Sequence, residues 1–139
     1  MENDIVRGIA TLIKNEFGDG FNIYNEKVKQ GFNTPCFFIE SIGFKYSKLS
    51  LGRYNAKYDF DIHYFSSENS VNDDIRNTQI KMLSCSEKIE VDNYGLIFGK
   101  NISSSVQDEV LHFLISYDTQ LMDVEDEIDK MQQIKVEVD

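Results

Sequence analysis

Between residues 54 and 64 apolar and polar side chains take strict turns. Tyr54, Ala56, Tyr58, Phe60, Ile62 and Tyr64 hold every second position, and Asn55, Lys57, Asp59, Asp61 and His63 hold those between. Side chains of an extended chain point alternately to opposite faces. The segment therefore predicts a strand with one aromatic, buried face and one polar face. Such alternation belongs to a sheet covered on one side only, paired antiparallel with the strand before it.

The cover has to come from helices, and two are predicted. Asn3 is a candidate N-cap, after which Ile5, Ile9, Leu12, Ile13 and Phe17 form one apolar stripe over about 14 residues, ended by Gly18-Asp19-Gly20. A second helix is expected from about Val71 to Ser86, with Val71, Ile75, Thr78, Met82 and Leu83 facing inward; Ser70 before it fits a capping box only loosely. The remaining apolar runs are too short for helices. Phe21 to Tyr24 predicts a short strand, and the polar segment Asn25 to Thr34 a loop or ragged continuation. Pro35 stands where a strand tolerates proline, opening a strand from about Cys36 to Ser47 that bends near Gly43. A turn near Ser50-Leu51-Gly52 leads into the alternating strand. Ile89 and Val91 begin another strand, which turns at Asp92 to Gly95 and continues through Leu96, Ile97 and Phe98. A further turn is expected near Ser103-Ser104-Ser105, before a strand from Val110 to Tyr117 with Leu111, Phe113, Ile115 and Tyr117 on one face and His112 on the other. The fold class is thus α+β: a mostly antiparallel sheet packed by two helices.

With 139 residues the chain has the length of one ordinary domain. Its expected limits are residues 1–122, followed by an acidic extension over 123–139. That extension holds Asp123, Glu125, Asp126, Glu127 and Asp129, then an alternating Ile134, Val136 and Val138 that could add to the sheet edge of a neighbouring subunit. No internal repeat is present. The formal charge is −10, from 24 acidic and 14 basic residues, with no Lys or Arg run. Such a surface repels nucleic-acid phosphates, which disfavours free-standing DNA or RNA binding. No apolar stretch approaches the ~18–20 residues of a membrane helix, and the first residues carry no secretory signal. Cys36 and Cys85, far apart, read as reduced, packed thiols of a cytosolic protein, and the Asn101-Ile102-Ser103 sequon as inert.

The search for chemistry returns little. Asp59, Asp61 and His63 share the polar face of one strand, about 6.5–7 Å apart along it, too far for direct pairing but open to a metal set between them. A zinc or hard-cation site would need further ligands that the sequence does not identify, so a solvated or subunit-facing surface is the expected role. His112 lies near Ser103 to Ser105 without the Gly-x-Ser-x-Gly turn of a serine nucleophile. Cys36, between Pro35 and Phe37, reads as a core residue and not as an activated thiol. Gly95, Gly99 and Lys100 lack the spacing of a phosphate loop, and the acidic run at 123–129 lacks the central Gly and terminal Glu of a calcium loop. The expectation is a chain that is not an enzyme, with no catalytic residue, no cofactor and no metal.

One block is less generic. Ile23-Tyr24-Asn25-Glu26-Lys27-Val28-Lys29-Gln30-Gly31 runs on through Pro35-Cys36-Phe37-Phe38-Ile39. Together with Asn3-Asp4-Ile5-Val6, Arg53-Tyr54 and Val110-Leu111-His112-Phe113, it resembles phage tail terminator proteins of prophages and phage-like tail particles of Gram-positive bacteria. The resemblance spans roughly residues 3–120 and is most specific from Gln30 to Ile39. It implies a mixed α/β subunit forming a hexameric ring that caps the tail tube, stops its polymerisation and offers a docking surface to the head connector. Its partners would be copies of itself, tail tube and sheath proteins and the head–tail connector, with DNA only passing through the lumen and no membrane. It would be found in the host bacterial cytoplasm during assembly and then in the tail of the virion or particle. The family brings no cofactor and no active site to carry over. Two other readings stay open: another head–tail neck or completion protein, and a small ligand- or metal-binding domain using Asp59, Asp61 and His63.

Overall fold

The computed structural model describes residues 2–25, 33–67 and 71–122. The expected acidic extension, with its Ile134, Val136 and Val138, lies outside them, as do most of the 25–34 segment and Ser70. Chain order is α1 (Glu2–Phe17), β1 (Asn22–Tyr24), β2 (Cys36–Ser50), β3 (Arg53–Phe65), α2 (Val71–Cys85), β4 (Lys88–Val91), β5 (Gly95–Gln107) and β6 (Val110–Met122). The fold is α+β: two helices with a six-stranded mixed sheet curved into a half-barrel, in the order β1-β2-β3-β6-β5-β4. β1 joins β2 in parallel, and the other four pairings are antiparallel.

The stripe predicted for α1 forms, with Ile5, Ile9 and Ile13 fully buried at successive turns. Asn3 lies inside the helix and not at its cap, because the helix already runs from Glu2. Glu2 and Asp4 in the first turn and Lys14 in the last complement the helix dipole. The amide of Gly18, at φ +86°, donates to Lys14 O at 2.9 Å and ends the helix. Gly8 lets α1 approach the sheet: a Cβ there would sit 3.0 Å from Glu90 O on β4.

The alternation along β3 is reproduced from Ala56 to Tyr64, whereas Tyr54 at its start is half-buried like Asn55 beside it. Ala56, Tyr58, Phe60, Ile62 and Tyr64 are buried with Leu111, Phe113, Ile115 and Tyr117 of β6 beneath the two helices. α2 adds Ile75, Thr78 and Met82 to this core. Leu83, expected to face inward, is instead exposed, since the helix turns the position beside Met82 away from the sheet. β2 runs three residues beyond its predicted end, to Ser50, because the hairpin closes tightly over Leu51 and Gly52. Ser103 to Ser105, expected near a turn, lie within β5; the chain turns later, at Asp108 and Glu109, both at positive φ. Those dihedrals match the right-handed twist of a tight hairpin.

Candidate functional site

The face of the sheet away from the helices carries the polar half of β3 and its neighbours. Pairing sets His63 opposite His112 and Phe38, and Asp61 opposite Leu114 and Glu40. The two imidazoles therefore meet across the β3–β6 pair, ring centroids 4.4 Å apart and planes inclined at 60°. They are the only two histidines in the chain.

Asp61 Oδ2 lies between the rings, 3.0 Å from His63 Nε2 and 3.2 Å from His112 Nδ1. Glu40 Oε2 approaches His63 Nε2 to 3.3 Å from β2. The spacing that makes Asp61 and His63 too distant to pair is a backbone spacing; their side chains lean along the strand and touch. All three of Asp61, His63 and His112 are half-buried. Their ligand-type atoms lie within 4.8 Å of one another. Although close, His63 Nε2 makes no properly directed hydrogen bond to either carboxylate, and Asp61 Oδ1 also has no partner. Both atoms are shielded from solvent. Distance favours attraction here while direction does not complete it.

Asp59, the third residue of the predicted set, is not drawn in. It accepts a hydrogen bond from Ser116 and stands 3.9 Å from Lys57 Nζ. Farther along the same face Lys100 Nζ pairs with Asp118 at 3.0 Å. Of the serines near His112 in sequence, Ser105 stands opposite it in the ladder, while Ser104 takes a hydrogen bond from Gln79 of α2 on the other face. Burial pushes the Cys36 thiol up to about 11; the Cys85 thiol is raised to about 11 by burial and then by the charge of Glu16. Neither is an activated nucleophile.

Glu40 and His112 are the members of the cluster that sequence reasoning did not connect. The signal for Glu40 was obscured by two register shifts in the β2–β3 pair, between Lys48 and Ser50 and between Ser41 and Gly43. A hairpin counted straight back from the Ser50–Arg53 pair would place Ile42 opposite Asp61. His112 was recognisable as a polar-face residue, but only the β3–β6 pairing brings it to His63.

The edges of the sheet are a second feature. β1 pairs with β2 only over Cys36, Phe37 and Phe38, and β4 pairs with β5 only from Gly95 to Phe98. Among the described residues this leaves no strand paired to the outer side of β2 from 39 to 50 or of β5 from 100 to 107. Ile42, Phe44 and Leu49 on the first edge, Val106 on the second, and Leu51 in the hairpin turn, 95% accessible, are exposed. No helix among the described residues is long and apolar enough to cross a membrane.

No curated protein matches the chain. A family model described as phage tail terminator protein matches residues 4–129, which takes in all the described elements except the first two residues of α1. A match over that much of the sequence places these strands and helices in a known structural family of the phage tail, and the chain belongs to the phage tail terminator family.

Proposed function

We propose that this chain is the subunit of a ring, most simply a hexamer, that sits on the end of the tail tube. The ring stops tube polymerisation and presents a surface to the head connector. The observation that carries this reading is the pair of edges with no strand paired to them, β2 from 39 to 50 and β5 from 100 to 107, at opposite sides of the sheet. Unpaired strand edges are templates for strands of another chain, and natural proteins seldom leave long ones uncovered. Two different edges joined head to tail generate a closed ring when the rotation between copies closes. The apolar side chains at both edges give that contact something to bury.

Membership in a structural family of the tail supports a role without catalysis, in the virion tail and among tail and head components. Six copies would carry about −60 in formal charge, and acid lining the lumen would keep passing DNA from adhering. The test is assembly of the cognate tube protein with and without this chain, viewed by electron microscopy. The reading predicts tubes that stop growing and end in a ring when the chain is added. Tubes of unchanged length with bare ends would refute it.

A further inference from the structure

We propose that His63, His112, Asp61 and Glu40 bind one divalent transition-metal ion of the zinc class per subunit. The case begins with the donor types: imidazole suits borderline metals such as zinc, whereas magnesium and calcium prefer sites made of oxygen alone. Two neutral imidazoles and two carboxylates would also balance a divalent charge, inside a chain already at −10.

The spacing agrees. Zinc–nitrogen and zinc–oxygen bonds of about 2.0–2.2 Å set the edges of a tetrahedron at about 3.3–3.6 Å. Asp61, His63 and His112 offer donor atoms that all lie within 4.8 Å of one another, with Asp61 Oδ2 at 3.0 and 3.2 Å from the two ring nitrogens, so small movements would open these three around an ion. Glu40 Oε2 stands 3.3 Å from His63 Nε2 and would have to swing in as the fourth donor. A cluster held together only by protons should aim each N–H at one oxygen. His63 Nε2 is instead shielded from solvent and aimed at neither carboxylate, and Asp61 Oδ1 has no partner either. A cation shared among the donors satisfies groups that pairwise hydrogen bonds leave incomplete.

Position gives the ion a purpose. Glu40 is on β2, Asp61 and His63 are on β3, and His112 is on β6, so the metal ties three adjacent strands on the face that no helix among the described residues covers. The site does not depend on the ring.

Because the chain has two histidines and both are ligands, the unmodified protein can report on the site directly. Untagged full-length protein, stripped with a chelator, is titrated with zinc chloride while the imidazole signals are followed by NMR and the heat by calorimetry. Both histidines should shift together and saturate at one equivalent per chain, and magnesium chloride should leave them unmoved. His63→Gln and His112→Gln, checked by circular dichroism, should each weaken binding at least tenfold, whereas Asp59→Asn should bind as the parent does. Unmoved histidine signals at one equivalent, movement of only one, an equal response to magnesium, or undiminished binding in both histidine variants would overturn the assignment.

Discussion

The Tyr64 hydroxyl, at the buried end of β3, donates to the Asp74 carboxylate on α2 at 2.6 Å. Ser66 donates to the same oxygen, so Asp74 gathers the end of the strand and the start of the helix beyond residues 68–70. Burial, then the hydrogen bond and charge of Asp74, push the Tyr64 phenol well above its ordinary pKa. Tyr64→Phe removes a hydrogen bond to a charged group and should cost about 1–3 kcal/mol, while Asp74→Ala should cost at least as much because it leaves a buried hydroxyl without its carboxylate. Urea denaturation of the two variants checks this; a midpoint unchanged in both would show that α2 is held elsewhere.

Gly99 has a different importance. A Cβ there would meet Ile115 Cδ1 at 2.6 Å and Ser86 O at 3.1 Å, and its amide donates to Glu87 O at 2.7 Å. Here β5 lies against both β6 and the loop after α2, so the collision involves backbone as well as side chain. Gly99→Ala should destabilise by about 1–3 kcal/mol through overpacking. Gly20→Ala, where nothing lies within 4 Å, should be tolerated. Equal thermal midpoints for the two variants would contradict the tight packing.

What the sequence disclosed followed from how local each signal was. α1 and β3 were legible because a period of 3.6 or 2 was repeated over a dozen residues, and burial in the structure follows those periods. β5 was not, since Ser103 to Ser105 look like turn residues by composition although they extend a strand, and Asp108-Glu109 lacks the Asn-Gly signature of a tight hairpin. Of the polar cluster, Asp61 and His63 could be placed on one face. Their joining to Glu40 depended on two bulges, and to His112 on a contact between residues 51 positions apart. Neither is written in any short window of sequence.

The face of α2 offers a direct comparison of neighbours. Met82 is 1% accessible and Leu83 56%. Met82→Ala should cost about 2–5 kcal/mol, as truncations in a packed core do, and Leu83→Ala should stay within about 0.5 kcal/mol. The reverse order in chemical denaturation would mean that the helix is rotated about its axis.

Both thiols and two tyrosines link stability to alkaline pH. Cys36 and Cys85 are held at about 11, and burial raises Tyr64 and Tyr117 as well. Each folded pKa is above the unfolded one, so the folded state keeps protons that the unfolded chain gives up. Stability from these groups is complete below the unfolded thiol value and is lost as pH rises toward the folded ones. The urea midpoint should therefore fall between pH 8 and pH 10.5, and at pH 8 both cysteines should react with iodoacetamide at least about tenfold more slowly in the folded protein than in urea. Rapid labelling of Cys36 in the native state would contradict its burial.

Stability and assembly should separate at the open edges. Leu51 projects from the β2–β3 turn, 95% accessible, and Val106 stands half-exposed on the unpaired side of β5. Neither contributes much to the core beneath the helices, so Leu51→Asp and Val106→Asp should change unfolding free energy by about 0.5 kcal/mol or less. In a ring each would place a carboxylate where an apolar contact between copies is expected, on subunits that already repel one another at −10 each. The variants should fold as the parent does yet fail to cap tubes or to sediment as rings with tube protein. A variant that folds and still caps tubes would exclude its residue from the contact between subunits, and if both did so the open edges would have to serve some other partner.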